Sequence, residues 1–417
     1  MPTFLHAADL HLDSPLRGLD AREGAPAERI RKASRIALER MVDAALERGV
    51  DFVLLAGDIY DTRPAFETYL FFHGQMARLS KAGIPVAMVL GNHDHGGASP
   101  RAERLPEGVR VLSAEAPESI EIVDGVWVHG QSYPTRDIAV DLTGRYPAAV
   151  PGVLNIGLLH TALDGYSGEH AAYAPSNTER LASHGYDYWA LGHVHQRHQL
   201  HVRGCHIVYP GNLQGRHVRE TGAKGAVFVE YGDGRIGDIG FREFDDVRWH
   251  RLGVDPATLD PDSGVDLVKQ VAQRVLDDTG ECRAAGRLAA VRLRVAGEAP
   301  PALVELGEEE IRESLRAEFS TRDDLFLEKI ELALRVPAAN RQEVDGYLAG
   351  LLQRMEGSEG VARALDGVRR DLLAELRKAG GPELVEAFQA SLGDGPGLDD
   401  ALALLRELLL SGGGRGR

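Results

Sequence analysis

The stretch Val53-Leu54-Leu55-Ala56-Gly57-Asp58-Ile59-Tyr60-Asp61 sets an apolar run against a glycine and two carboxylates. A short continuous apolar run closed by turn chemistry reads as a strand buried on both faces, as in an α/β sheet. In such sheets ligands collect at the carboxyl ends of strands, and that is where Asp58 falls. The same punctuation recurs on either side. Asp9-Leu10-His11 follows the apolar segment 3–8, and Gly91-Asn92-His93-Asp94 follows 85–90. His160 closes 153–159, and Gly192-His193-Val194-His195 closes 188–191. Five strand ends thus carry polar, metal-competent residues.

Between these strands the apolar spacing turns helical. The segment 33–47 places Ile36, Ala37, Met41, Ala44 and Ala45 on one face, and 66–82 and 178–184 read likewise. Further strands are expected over 119–123, 126–130, 205–209 and 225–230. The alternation predicts an α/β layered domain over 1–250. Past residue 254 the texture changes, with helices expected over 266–276 and 308–319 and strands over 288–295 and 327–336. These define a small α+β domain, 251–338. From 339 to 410 the pattern is helical, with Val344, Tyr347, Leu348, Leu351, Leu352 and Met355 on one face. The Gly/Arg-rich tail 411–417 is expected to be disordered.

Composition narrows the function. A formal charge of -16 over 417 residues argues against a simple electrostatic nucleic-acid binder, though not against one whose cations are metals. No basic n-region opens the chain and no run of ~18 apolar residues occurs, so neither a signal peptide nor a membrane span is expected. Cys205 and Cys282 lack metal-type spacing and read as buried thiols in a reducing cytoplasm. All sixteen histidines lie at or before His250, which assigns metal or acid–base chemistry to the first domain.

The five motifs supply oxygen and nitrogen donors without thiolate, which suits a pair of manganese, iron or zinc ions better than a structural zinc. Residues two apart in an extended segment point the same way, so Asp9 with His11 and His193 with His195 can each aim two donors at one cluster. Gly57, Gly91 and Gly192 are expected to allow sharp turns there. Two divalent ions against Asp9 and Asp58 leave a positive surplus of about two charges, compatible with an anionic substrate on an acidic chain. Singly these motifs are weak: Asp-x-His occurs in ordinary turns, and Gly-Asn-His-Asp reads equally as an Asx-turn. His6 reads as a core histidine. Asp13 and Ser14 read as substrate contacts or caps. His95, Arg197, His198, Arg216, His217 and Arg219 read as phosphate holders or solvated charges.

In this order the motifs resemble the calcineurin-like metallophosphoesterase superfamily. The run Tyr209-Pro-Gly-Asn-Leu-Gln-Gly-Arg-His-Val-Arg-Glu-Thr-Gly-Ala-Lys-Gly225 is similar to that of SbcD-like DNA double-strand-break-repair nucleases, closest to their YhaO-type bacterial exonuclease branch. The resemblance covers residues 1 to about 250 and implies a four-layer αββα sandwich with a small capping domain and C-terminal helices. It implies that Asp9, His11 and His195 bind one metal, that Asn92, His160 and His193 bind the other, and that Asp58 bridges them. His93 would face the phosphate and stabilise or protonate the leaving oxygen, with Asp61 orienting it from behind. Asp61 departs from the histidine of some archaeal relatives, which leaves the exonuclease and endonuclease alternatives open. The implied reaction is hydrolysis of DNA phosphodiester bonds by metal-bridged hydroxide, with manganese as the ion. An SMC-like ABC ATPase docked on the helices within 341–410 and a homodimer are implied as partners. The rivals are a cyclic-nucleotide phosphodiesterase or phosphoprotein phosphatase on the same metal core, and a non-catalytic scaffold for an ATPase.

Overall fold

The computed structural model describes residues 1–14, 26–61, 63–94, 105–164, 175–259, 263–298 and 307–335. All lie within one compact unit, Met1–Val336. The helices expected over 341–410 and the tail fall outside the described residues, as does His95.

Two six-stranded sheets form the body. The first runs β12-β11-β1-β2-β3-β4 and the second β5-β6-β7-β8-β10-β9. In the first, β1 (Thr3–Ala7), β2 (Phe52–Ala56), β3 (Val86–Val89) and β4 (Val109–Val111) are parallel, and β11 (Gly225–Gly232) and β12 (Arg235–Glu243) add antiparallel. In the second, β6 (Val126–Gly130), β7 (Leu154–His160), β8 (Tyr188–Gly192) and β10 (Cys205–Tyr209) are parallel. The strands β5 (Glu118–Val123) and β9 (His198–Val202) pair antiparallel at its edges.

The layering follows from which faces are apolar. Phe4, Phe52, Leu54 and Ala87 of the first sheet meet Val128, Ile156, Tyr188 and Val208 of the second in a shared core. The outer face of the first sheet packs on α1 (Ala27–Arg48) and α2 (Phe66–Lys81) through Leu38, Met41, Phe72 and Met76. The outer face of the second buries Leu159, Trp189 and Ile207 with Leu181 of the short helix α3 (Thr178–Ser183). This is the four-layer α/β arrangement expected.

Helix α1 begins at Ala27, six residues before the expected start, because its first turns are mostly charged and carry little periodic signal. It ends at Gly49, whose left-handed backbone (φ 63°) lets its N–H close on Ala45 and Leu46. Strands β4, β9, β12 and β13 (Val247–Val254) were not expected. Of these, β4, β9 and β12 lie at sheet edges, where one-sided burial relaxes the apolar pattern.

A third sheet, β13-β14-β15, joins β13 to β14 (Leu288–Glu298) and β15 (Leu325–Arg335), all parallel. The strand β13 runs across the boundary expected at 250/251. One face packs on α4 (Gly264–Asp278), α5 (Gly280–Ala284) and α6 (Glu308–Phe319) through Val271, Val291, Leu293 and Leu315. The start of the other face, with Trp249, Ala290 and Phe326, packs on Ile30 and Ala33 of α1. Cys205 and Cys282 are buried free thiols.

Candidate metal centre

The backbone ladder between β1 and β2 continues beyond the strands. The N–H of Asp9 donates to Gly57 O (3.1 Å), that of His11 to Asp58 O (3.0 Å), and that of Leu12 to Ile59 O (3.0 Å). Asp9, His11 and Asp58 are therefore held in register. Asp9 (φ 52°), His11 (φ 42°), Asp58 (φ 50°) and His193 (φ 95°) all occupy the left-handed region. For non-glycine residues this costs on the order of 1–3 kcal/mol each, and it persists where the surroundings over-determine the backbone.

The three motif glycines serve two purposes. Gly57 has φ 89° and turns the chain as expected. Gly91 and Gly192 are needed for space instead. A Cβ on Gly91 would stand 2.2 Å from Asp58 Oδ1, and one on Gly192 would stand 1.7 Å from Ala56 O. The expectation of a sharp turn thus holds at Gly57, while close approach explains the other two.

Five strand ends from two sheets converge here. His11 Nε2 and His195 Nε2 stand 3.1 Å apart, with Asp9 Oδ1 3.8 Å from the latter. Asp58 Oδ2 lies between the two halves, 3.7 Å from His11 Nε2 and 3.4 Å from His160 Nε2. Asn92 Oδ1 is 3.0 Å from His160 Nε2, and the His193 ring packs edge-on against that of His160, with centroids 5.1 Å apart. The protons on two of these rings are turned outward. His160 Nδ1 donates to Ala56 O (3.0 Å) and His195 Nδ1 to Glu220 Oε1 (2.7 Å), which points both Nε2 atoms into the cluster.

Acceptors gathered this closely in a buried space favour positive charge among them. Burial, joined by the neighbouring Asp58, pushes the Asp9 carboxyl up to about 7, with His160 and then the backbone N–H of His193 holding it back in part. Burial pushes His160 down, but the Asp58 carboxylate outweighs it and carries the ring to about 9. Both shifts follow from packing carboxylates and imidazoles into one buried space. Among the described residues three groups of donors are compact enough to hold an ion, Asp9–His11–His195, Asp9–Asp58–His160 and His11–Asp61–His93; the first two are wholly buried, and the all-O/N set suits hard or borderline divalent metals.

His93 is the open member, with 27 % of its side chain exposed. Its backbone N–H donates to Asp58 Oδ1 (2.9 Å), and its Nδ1 lies 3.1 Å from Asp61 Oδ1. Asp61 raises the His93 pKa, against the opposing effect of burial. Asp61 also does more than stand behind His93, since Oδ1 is 3.0 Å from His11 Nδ1 and Oδ2 accepts from Ser14 Oγ (2.6 Å).

Several expectations for flanking residues resolve differently. The Asp13 carboxylate binds Arg35 and Thr68, and the segment it was expected to cap lies outside the described residues. Arg197 stacks on Phe241, 4.5 Å from its centroid. Arg216 binds Asp61 and Glu220, and His217 lies 3.7 Å from Glu220. His198 is exposed on β9. His6 is a core histidine bonded to Tyr188 Oη (3.0 Å).

Two functional residues escaped the sequence reading. Glu220 orients His195, yet its partner is 25 positions away and only the fold joins them. Asp94 is buried and accepts the backbone N–H groups of Tyr60 (3.0 Å), Gly91 (2.9 Å) and Ile59 (3.3 Å), tying together the loops that carry Asp58 and Asn92. Its place inside the Gly-Asn-His-Asp motif was the available signal.

The sequence is similar to those of known proteins. The calcineurin-like phosphoesterase family matches residues 2–197. The metallophosphoesterase YhaO of Bacillus subtilis (strain 168) is 34% identical over 376 residues, covering 88% of this chain and 90% of its own. The DNA double-strand break repair protein Mre11 of Thermoplasma acidophilum is 26% identical over 255 residues, covering 56% of this chain and 63% of its own. Mre11 of Haloferax volcanii is 27% identical over 279 residues, covering 65% and 58%. With the five strand-end motifs converging as described and a relative of this similarity along nearly the whole length, the chain belongs to the calcineurin-like metallophosphoesterases.

Proposed function

We propose that the chain is a nuclease that hydrolyses DNA phosphodiester bonds exonucleolytically in repair, using manganese. The observation that favours a nucleic-acid substrate is the outer face of the third sheet. Arg251, Arg292 and Lys329 sit abreast across β13, β14 and β15, and Arg294 occupies the next row. Arg251, Arg294, Lys329 and Arg335 are exposed on a chain whose net charge is -16. Arg292 is paired with Glu328 and Lys329 with Glu331, so the face offers a phosphate backbone mainly Arg251, Arg294 and Arg335, and it continues from the strand ends that pack on α1. The similarity to the DNA double-strand break repair proteins Mre11 favours the same reading.

Asp9, His11 and His195 would hold one ion and Asn92, His160 and His193 the other, with Asp58 reaching both. Bound there, two divalent ions supply a water of lowered pKa and neutralise charge on the reacting phosphate. The chain's own part is to orient and to move a proton. Asp61 fixes His93 at Nδ1, which leaves Nε2 to give a proton to the departing sugar oxygen. The free buried thiols suit action in a reducing cytoplasm. Association with an SMC-like ATPase through 341–410 is part of this reading, tested by co-purification after truncation at about residue 337.

The deciding experiment compares labelled double- and single-stranded DNA with a cyclic nucleotide and a phosphopeptide across manganese, magnesium and zinc. End-dependent DNA cleavage supports the reading. Turnover confined to the small substrates would replace it with a phosphodiesterase or phosphatase, and none on any substrate would favour the scaffold.

A further inference from the structure

Arg216 stands between two carboxylates that both lead back to the metal centre. Its Nη1 lies 3.1 Å from Asp61 Oδ1 and its Nη2 3.4 Å from Glu220 Oε1. Glu220 Oε1 accepts from His195 Nδ1 at 2.7 Å, while Asp61 Oδ1 lies 3.0 Å from His11 Nδ1 and 3.1 Å from His93 Nδ1. Glu220 is pinned at its other oxygen too, by the backbone N–H of Arg216 (2.7 Å) and by Asn212 Nδ2 (2.9 Å). The guanidinium and Asp61 are each only 15 % exposed, so water competes weakly for these contacts.

We propose that Arg216 is a positioning residue whose planar fork sets the separation of Asp61 and Glu220, and through them aims His11, His195 and His93. The proposal rests on the two-metal reading of the site. It also explains why Arg216 is poorly placed to hold substrate phosphate, since both terminal nitrogens already serve carboxylates.

Two opposite effects make the role testable. As a charge, Arg216 repels a divalent ion, so its removal should tighten binding. As a fork, it preorganises the lone pairs of His11 and His195, so its removal should weaken binding. Arginine holds two carboxylates in a fixed geometry that a lysine ammonium cannot reproduce, although lysine keeps the charge.

The test is calorimetric titration of manganese into the metal-stripped full chain, for wild type, Arg216→Gln and Arg216→Lys, with the melting temperature of each metal-free form as a check on folding. Positioning predicts two sites in the wild type and an affinity about ten- to a hundredfold weaker in Arg216→Gln at one of them. Arg216→Lys should show the same selective loss, and it carries the test alone if Arg216→Gln does not fold. Unchanged or tighter binding, equal loss at both sites, or full recovery with lysine would overturn the proposal. A wild type that binds no divalent ion would overturn the two-metal reading beneath it.

Discussion

Nε2 of His11, from the end of β1, stands 3.1 Å from Nε2 of His195, beyond the end of β8 in the opposite sheet. Outward hydrogen bonding at His195 turns its lone pair toward its neighbour, and Asp9 and Asp58 close the space around them. An ion bound there would bridge the two sheets. Manganese in excess should therefore raise the thermal midpoint, since a ligand at a hundred times its Kd adds about 2.7 kcal/mol to the native state. A chelator should return the midpoint to its starting value; a midpoint insensitive to both would contradict the assignment.

His93, whose Nδ1 lies 3.1 Å from Asp61, is outside the proposed ligand set and more open than the residues in it. Replacing it with glutamine should lower phosphodiester cleavage by about two to four orders of magnitude. Manganese uptake should not change. Wild-type turnover in this variant would remove His93 from the reaction.

Close approach at Gly192 predicts a stability effect. Alanine there brings Cβ against a backbone oxygen, so Gly192→Ala should lose at least about 1–3 kcal/mol in urea denaturation. Gly74, within α2, has nothing within 4 Å of a new Cβ and makes a control. Gly74→Ala should gain about 0.5–1 kcal/mol. Equal responses at the two positions would show that the contact at Gly192 is relieved at little cost.

Burial lowers the His6 pKa from 6.5 to about 3. Above pH 6.5 the ring is neutral in both the folded and the unfolded chain. Below it the unfolded chain takes up the proton and the folded chain does not, so stability falls as the pH drops from 6.5 toward 3. The slope from this one group approaches about 1.4 kcal/mol per pH unit. His6→Gln should flatten the stability profile between pH 6 and 4 by roughly that slope, whatever its effect at neutral pH. An unaltered slope would mean that His6 is hydrated or protonated in the folded protein.

If the outer face of the third sheet meets a phosphate backbone, its cations must register in the salt dependence. Arg251→Gln with Arg294→Gln should weaken DNA binding and reduce the slope of log K against log salt by about 0.9 for each lost phosphate contact on a duplex. Binding that keeps its slope would direct the DNA elsewhere on the chain.

The strand ends were legible in the sequence because a buried parallel strand must be apolar throughout, and a polar residue just after it stands out. Asp9, Asp58, Asn92, His160 and His193 each carry that local signal, and the helical and strand periods around them are local as well. The edge strands were less legible, as in His198–Val202, where three of five residues are polar and exposed. Tertiary structure alone decided that β1–β2–β3 and β7–β8 place their ends face to face, because that depends on the packing of two separate sheets. It alone brought Glu220 to His195 and bound Arg216 to Asp61 across 155 positions. It also gave Gly91 and Gly192 their meaning. A glycine demanded by a neighbour's atoms rather than by its own φ leaves no trace in local sequence, since the atoms that exclude a side chain come from distant strands.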